Sequence, residues 1–206
     1  MRPYPPESMF ASLYGELGRF VPAPEIIGWA QTTFIDDDAS LPNEDHVHLR
    51  SAKLAALWTT IPNGRQGRTI IGQAEPGDPA VMGKWRKARA EQQIVEWFGE
   101  IPDFILTFDA NYASQCDDAQ FAALVEHELM HCGQERDEWG APKFRKSGLP
   151  AFTMRGHDVE EFVGVVRRYG ATSQVLRDMV DAVNKGPDLG VGEIASACGN
   201  CQSRAA

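Results

Sequence analysis

The chain has 206 residues and a formal net charge of −9 at pH 7. This length suits one domain with its own core, and the acidic balance argues against sequence-independent binding of nucleic acid over the whole surface, which needs clustered cations. The hydrophobic runs are too short to cross a membrane, and MRPYPPESMF has neither the hydrophobic core nor the cleavage site of a signal peptide, so we expect a cytoplasmic protein without membrane contact.

Helices are predicted near the start of the chain. Residues 7–20 place four large hydrophobic side chains at helical spacing, and PEIIGWAQTTF predicts a second short helix with Pro24 at an early position. The acidic run IDDDASLPNED predicts a solvated loop. We therefore treat residues 1–40 as a helical segment that packs on the core of the domain.

A hairpin is predicted next. Residues 46–60, HVHLRSAKLAALWTT, alternate in part between hydrophobic and polar side chains, PNGRQG has the composition of a turn, and RTIIGQAE would return as a second strand. His46 and His48 would then face the same side of the first strand. We expect a solvated strand face there rather than a metal site.

A helix and a third strand follow the hairpin. Residues 82–98 predict a helix with Trp85, Ile94 and Val95 toward the core and the KWRKAR cluster on a solvated face. A contact of this cluster with nucleic acid or an acidic partner is the less favoured interpretation. DFILTFDA is rich in β-branched and aromatic residues and predicts a strand that could offer a sheet edge to an extended peptide.

The next helix carries the sequence HELMH. It is predicted over about residues 117–132, with Asp117 or Asp118 as its N-cap and Gly133 placed to end it. Its hydrophobic residues lie on one face, which indicates that the helix packs on a core.

The remainder of the chain alternates between irregular and helical segments. Residues 134–156 are polar and contain Gly and Pro, which predicts loops. Helices are predicted again at HDVEEFVGVVRRYG and TSQVLRDMVDAV. The Gly-rich residues 185–206 predict an irregular tail, and we favour an inert role for its lone CGNC pair over a zinc half-site or a reactive thiol pair.

The HELMH sequence has the spacing of a catalytic zinc site. Positions i and i+4 of a helix share a face, so His127 and His131 can point at one metal ion, and Glu128 lies beside the first of them. A catalytic zinc ion takes three protein ligands and keeps one open position, where a water molecule is activated. Glu128 would accept the proton of that water and pass it to the leaving amine. The alternative is a surface helix with two exposed histidines.

The third ligand is expected downstream of the helix. RGHDVEEF places His157 in the first turn of a new helix, and we favour His157 over Glu161, which would give a two-His, one-Glu site. Asp158, Glu160 or Glu161 could accept the free N–H of a ligating histidine. For Glu160 a favourable charge at a helix N-terminus is the preferred interpretation.

Two cysteines and two tyrosines near the motif are further candidates. Cys132 follows His131 but points about 100° away around the helix, so we expect a buried small residue rather than a ligand. Cys116 lies about a helix length away and cannot share the metal. Tyr112 and Tyr169 could donate hydrogen bonds to the transition-state oxyanion, and Tyr112 is preferred because it lies between the predicted edge strand and the HELMH helix.

The motifs together resemble a known pattern. HELMH followed by GHDVEEF is similar to the SprT-like zincin metallopeptidases, and VEHELMHCGQ, DEWGAPKF and GHDVEEFVGVVRRYG resemble the metallopeptidases encoded by phages and prophages over about residues 40–172. The resemblance implies zinc at His127, His131 and His157, Glu128 as the catalytic base and, for a phage gene, the host cytoplasm. The gap between the last two histidines exceeds that of SprT-like proteins and is interpreted as an insertion. The resemblance supplies no substrate.

We therefore expect an α+β, zincin-like domain at residues 41–184, with a short mixed sheet and hairpin packed against helices and HExxH on the active-site helix. The expected function is zinc-dependent hydrolysis of peptide bonds in a protein or peptide substrate. The alternatives are a catalytically silent zinc-fold protein of a phage and a zinc amidohydrolase that acts on a non-peptide amide. The SprT-like resemblance suggests substrates near DNA, but the acidic charge gives nucleic-acid contact no support.

Overall fold

The structure, a computed structural model, describes residues 1–10, 19–65, 68–159, 163–171 and 173–189. Much of the predicted helix over 7–20 lies outside the described residues, as do Glu160, Glu161 and the CGNC pair. Strands and helices are mixed along the part of the chain that is described, which is the arrangement of an α+β fold.

The strands form one four-stranded sheet and two small ribbons. They are β1 (Phe20–Pro22), β2 (Leu54–Thr59), β3 (Asn63–Arg65), β4 (Arg68–Ile70), β5 (Gly72–Pro76), β6 (Phe104–Asp109), β7 (Cys132–Gln134) and β8 (Phe152–Met154). The large sheet has the order β1-β2-β6-β5, in which β2 and β6 are parallel and the other neighbours are antiparallel. This is the short mixed sheet that the sequence predicts.

The helices lie between and after these strands. They are α1 (Pro24–Ala30), α2 (Lys84–Phe98), α3 (Ala110–Gln115), α4 (Asp118–His131), α5 (Val163–Tyr169) and α6 (Gln174–Lys185). α1 continues into a π-helical turn, Gln31–Ile35, and a 3₁₀-helix covers Glu44–Ser51. Within the described ranges, no helix is long and hydrophobic enough to span a membrane.

The two faces of the large sheet are covered by different helices, because side chains alternate along a strand. On one face the main core joins the sheet to α1 and α4, and its strand members include Ala56, Trp58, Leu106 and Phe108. On the other face a smaller cluster joins the sheet to α2, and its buried members are Ala55, Leu57, Ile94 and Ile105. The ring of Phe121 on α4 lies 5.8 Å from that of Trp58 and 6.0 Å from that of Phe108. These contacts fix α4 against a rigid support.

Helix α4 begins where the sequence predicts and ends one residue early. The Asp117 side chain accepts a hydrogen bond from the Gln120 N–H at 2.8 Å, and the Gln120 side chain accepts one from the Asp117 N–H at 3.0 Å, which is a capping box. Gly133 was expected to end the helix as a cap, but it lies in β7. A Cβ at Gly133 would lie 3.1 Å from the Cβ of Arg155, so glycine here allows a close approach of two backbones.

The hairpin predicted from residues 46–60 and RTIIGQAE is wrong. The first part, Glu44–Ser51, is a 3₁₀-helix, in which the buried His46 and Leu49 stand three residues apart and so share a face. Strand β2 starts only at Leu54 and pairs with β1 and β6. A small hairpin joins β3 to β4, whereas β5 pairs antiparallel with β6.

Two further expectations about exposure are wrong. The strand DFILTF, β6, lies inside the sheet, and the edge strands are β1 and β5. Trp85 was expected in the core but is 92% exposed, and Val95 is 43% exposed. Only the later turns of α2 meet the sheet, through Ile94 and its partly buried neighbour Trp97.

The segment 134–156, predicted as loops, folds back on itself between β7 and β8. The Glu135 N–H donates to the Ala151 carbonyl at 2.8 Å, the Lys143 N–H to the Glu135 carbonyl at 2.8 Å, and the Ala151 N–H to the Lys143 carbonyl at 3.0 Å. This hydrogen bonding returns the chain to the end of α4. The division of the chain at residues 40 and 184 stays a prediction.

Candidate metal centre

The last two turns of α4 present two histidines on one face. His127 and His131 are one helical turn apart, and their ring centroids lie 5.1 Å from each other. Both side chains are at least half-buried, because the neighbouring face of α4 is packed into the core. The helix therefore fixes the first half of the candidate site, as the i, i+4 spacing predicts.

The ribbon of β7 and β8 brings the third histidine to the other two. The Arg155 N–H donates to the His131 carbonyl at 2.8 Å, which ties the chain after β8 to the end of α4. His157 follows two residues later, and its ring centroid lies 5.2 Å from that of His127 and 4.8 Å from that of His131. Three of the five histidines of the chain thus converge, whereas the rival Glu161 lies outside the described residues.

The spacing of the ring nitrogens suits one metal ion. One nitrogen from each of the three histidines lies within 4.8 Å of the others. The Nε2 atoms of His127 and His157 are 3.3 Å apart. Two nitrogens bound at about 2.0 Å to a tetrahedral ion would be separated by about 3.3 Å. The donor set therefore fits a single metal ion.

The second nitrogen of His131 is held by the backbone. Its Nδ1 lies 2.7 Å from the carbonyl oxygen of Arg155. A carbonyl can only accept, so Nδ1 carries the proton and donates, which leaves the lone pair of a neutral ring on Nε2. The sequence predicts that a carboxylate such as Asp158 could accept the free N–H of a ligating histidine. In the structure Asp158 instead accepts a hydrogen bond from the Arg155 guanidinium at 2.7 Å, and the partner of His131 is the backbone carbonyl of Arg155.

Burial and mutual repulsion keep two of the rings neutral. The pKa of His127 is lowered to about 4, first by burial and then by the nearby His131 and His157. The pKa of His131 is lowered as well, mainly by burial, although its hydrogen bond to the Arg155 carbonyl acts in the opposite direction. Both rings are therefore neutral near pH 7 and have lone pairs available for a metal ion.

Glu128 is fully buried at the face of α4 that meets the sheet. Its Oε1 would lie 2.8 Å from a Cβ built at Gly72, the first residue of the edge strand β5. In front of the histidines lies a cleft of about 320 Å³, lined by the three rings together with Met130, Arg155 and Met179 among others. Glu128 is not part of that lining. Its carboxylate packs against Gly72 of β5.

The remaining candidates near the site have other roles or lie elsewhere. Cys132 is fully buried, and burial raises the pKa of its thiol, which agrees with a packed small residue rather than a ligand. Tyr112 and Tyr169 do not line the histidine cleft. The expectation of a solvated face for His46 and His48 is wrong: His46 is fully buried, and His48 donates through Nε2 to the Cys132 carbonyl at 2.7 Å.

Sequence reasoning missed Arg155 and Gly72. Arg155 acts on His131 through its backbone, for which a side-chain pattern gives no signal. Gly72 comes within reach of Glu128 only through the pairing of β5 with β6, which is not a local property of the sequence.

Comparisons with known proteins identify the family. A sequence model of the family described as “Putative phage metallopeptidase” matches residues 27–184, which is most of the chain and includes both histidine motifs. Neither the curated proteins nor the solved structures contain a match. On the strength of the family match and the histidine cluster that it spans, this chain belongs to the phage metallopeptidase family.

Proposed function

We propose that this protein is a zinc-dependent peptidase in which His127, His131 and His157 hold the metal and Glu128 is the general base. The observation that carries the proposal is the convergence of the three ring nitrogens from α4 and from the chain after β8. Three imidazoles with an open side toward a cleft are the donor set of a catalytic rather than a structural zinc site.

The metal and the protein would divide the chemistry between them. When bound, zinc would supply a Lewis acid that polarises the scissile carbonyl and makes water more acidic. Glu128 would accept the proton of the attacking water and deliver it to the leaving amine. The hydrogen bond from His131 Nδ1 to the Arg155 carbonyl would hold the ring in its ligating orientation and tautomer.

A sheet edge next to the site supports a peptide as the substrate. β5 is an edge strand of the four-stranded sheet, and its first residue, Gly72, approaches Glu128. An extended peptide can add to the edge strand of a sheet through main-chain hydrogen bonds. We propose that β5, rather than the internal strand β6, takes this role.

Metal analysis of the purified protein tests the ligand set. We expect about one zinc per chain, retained in His48→Gln and lost in His127→Ala and His157→Ala. His48 is the matched control because it lies close to β7 and donates to a backbone carbonyl, a bond that glutamine can also make. Full retention of zinc in His157→Ala would overturn the ligand set.

A second experiment separates an enzyme from a catalytically silent zinc protein. Glu128→Gln should keep its zinc and lose at least about a hundredfold of the hydrolysis of a fluorescein-labelled casein. Glu126→Gln is the control, since that carboxylate lies on the same helix and bonds to Asn43. Equal activity of the Glu128 variant and wild type would refute the role of base. Cleavage of small amides with casein intact would indicate a non-peptide substrate.

A further inference from the structure

Gly72 stands where the edge strand passes closest to the Glu128 side chain. A Cβ at Gly72 would lie 2.8 Å from Glu128 Oε1, 3.2 Å from Glu128 Cγ and 2.9 Å from Leu124 Cδ1. Real side chains essentially never approach a Cβ below 3.0 Å. The φ angle of Gly72 is not in the left-handed region, so any residue could adopt its backbone conformation. Glycine is required there for space.

The backbone on each side of this contact is fixed. Gly72 pairs with Phe108 of the internal strand β6, and the carbonyl of the preceding Ile71 accepts the Asp109 N–H at 2.9 Å. On the other side, α4 is anchored by its fully buried residues, of which Leu124 and Glu128 face the strand. A methyl group at position 72 would therefore displace the ends of these two side chains rather than separate the strand from the helix.

We propose that Gly72 is a positioning residue for the base Glu128. The missing side chain at the start of β5 sets where the carboxylate rests relative to the three histidines. This inference rests on the proposed function, because it concerns the same carboxylate. A general base must lie within about 2.6–3.2 Å of the atom whose proton it takes, and a misplacement of about 1 Å can cost a hundredfold in rate. Gly72→Ala should therefore act on the chemical step and spare the ligands.

Two other glycines provide matched controls. A Cβ at Gly77, just after β5, would lie 1.9 Å from the Pro102 carbonyl oxygen, so Gly77→Ala strains the opposite end of the same strand without touching Glu128. A Cβ at Gly28 in α1 would have nothing within 4 Å, so Gly28→Ala should be neutral. Comparison of Gly72→Ala with these two variants separates a general loss of stability from an effect on Glu128.

The first test measures zinc content, kcat and KM with fluorescein-labelled casein. Gly72→Ala should bind zinc like wild type and keep its KM within about threefold, with kcat lower by about tenfold to a hundredfold. Gly77→Ala should melt at a lower temperature, with the kcat of the folded protein unchanged. An unchanged kcat, or a loss of zinc, in Gly72→Ala would refute the positioning role.

The second test does not depend on catalysis. Glu128→Ala removes the Cγ and carboxylate that the new methyl group would meet but leaves Leu124, so part of the fall in melting temperature caused by Gly72→Ala should disappear in that background. The fall caused by Gly77→Ala should be the same in both backgrounds. If the wild-type protein is active but the falls in melting temperature caused by Gly72→Ala and Glu128→Ala simply add, the positioning role of Gly72 is refuted and the proposed function is not. A wild-type protein that binds zinc and cleaves no substrate would refute the proposed function, and with it the catalytic meaning of this contact.

Discussion

His131 and Arg155 are joined by two hydrogen bonds that both use the Arg155 backbone. The Arg155 N–H donates to the His131 carbonyl at 2.8 Å, and His131 Nδ1 donates to the Arg155 carbonyl at 2.7 Å. One histidine of the cluster is thus oriented by the same peptide that leads the chain to another, His157. The candidate metal site and the β7–β8 ribbon are therefore one structural unit.

This relationship predicts opposite results for two substitutions of Arg155. Arg155→Ala keeps both backbone hydrogen bonds, so zinc affinity should stay within about threefold of wild type. Arg155→Pro removes the N–H that holds residue 155 against the end of α4, so its carbonyl would no longer be fixed beside His131 Nδ1, and zinc binding should weaken by about tenfold to a hundredfold. Competition with a chromophoric chelator measures both affinities. Equal zinc affinities in the two variants would show that the backbone does not hold His131.

The buried His46 predicts a loss of stability in acid. Burial, followed by the neighbouring His48, lowers its pKa to about 4 in the folded protein, while the pKa in the unfolded chain is about 6.5. Between these values only the unfolded chain takes up the proton. The contribution of neutral His46 to the free energy of unfolding is therefore complete above pH 6.5 and is lost as the pH falls toward 4. About 2 kcal/mol of it is lost between pH 7 and pH 5.

Urea unfolding of the zinc-free protein at pH 7 and pH 5 measures this effect. His46→Leu should lose about 2 kcal/mol less than wild type between the two values, because leucine fills the site without a titrating group. His48→Gln serves as the control and should keep most of the pH dependence. The same loss in His46→Leu and wild type would assign the acid sensitivity to other groups, such as His127.

The parts of the fold that the sequence predicts are those that local rules decide. The capping box of Asp117 and Gln120, the buried face of α4 and the pairing of His127 with His131 all follow from residues within two turns of each other. The convergence of His157 with this pair could also be predicted, because the chain has only five histidines and few of them could complete a ligand set.

The expectations that are wrong concern distant contacts or ambiguous spacing. His46 and Leu49 fit a partly alternating strand pattern, yet their three-residue separation equally suits the 3₁₀-helix that forms. The choice of β6 rather than β2 as the partner of β5 depends on tertiary packing, for which the sequence carries no local signal. Trp85 stands nine residues before Ile94, which is about two and a half helical turns, so the two side chains lie on opposite faces of α2, and Trp85 is exposed while Ile94 is buried.

Arg2 is predicted to stabilise the fold through backbone carbonyls. It is 5% exposed, lies between the rings of Tyr4 and Phe121, and donates to the carbonyls of Ala113 and Cys116 at 3.0 and 2.7 Å. Those carbonyls belong to the end of α3, where helical partners are missing. Arg2→Met should lower the free energy of unfolding by about 2–3 kcal/mol, because buried acceptors lose a charged donor.

The matched control for Arg2 is its ion-pair partner. Asp118 lies 2.9 Å from Arg2 Nε, but its side chain is 76% exposed. Asp118→Asn should therefore cost less than about 1 kcal/mol, as for other solvated ion pairs. Denaturant unfolding of both variants gives the comparison. A larger loss in Asp118→Asn than in Arg2→Met would mean that the ion pair, and not the carbonyl contacts, anchors the segment.

Removal of the metal should lower stability by an amount that depends on all three histidines. A ligand that binds only the folded state stabilises it by about 4 kcal/mol at a thousand times its dissociation constant. Wild-type protein should therefore melt at a higher temperature with zinc than with a chelator, and His48→Gln should show the same difference. In His157→Ala most of the difference should vanish, since two histidines on α4 hold zinc far more weakly than three. A full zinc effect in His157→Ala would mean that another residue supplies the third ligand, and Glu161 would be the first substitution to make.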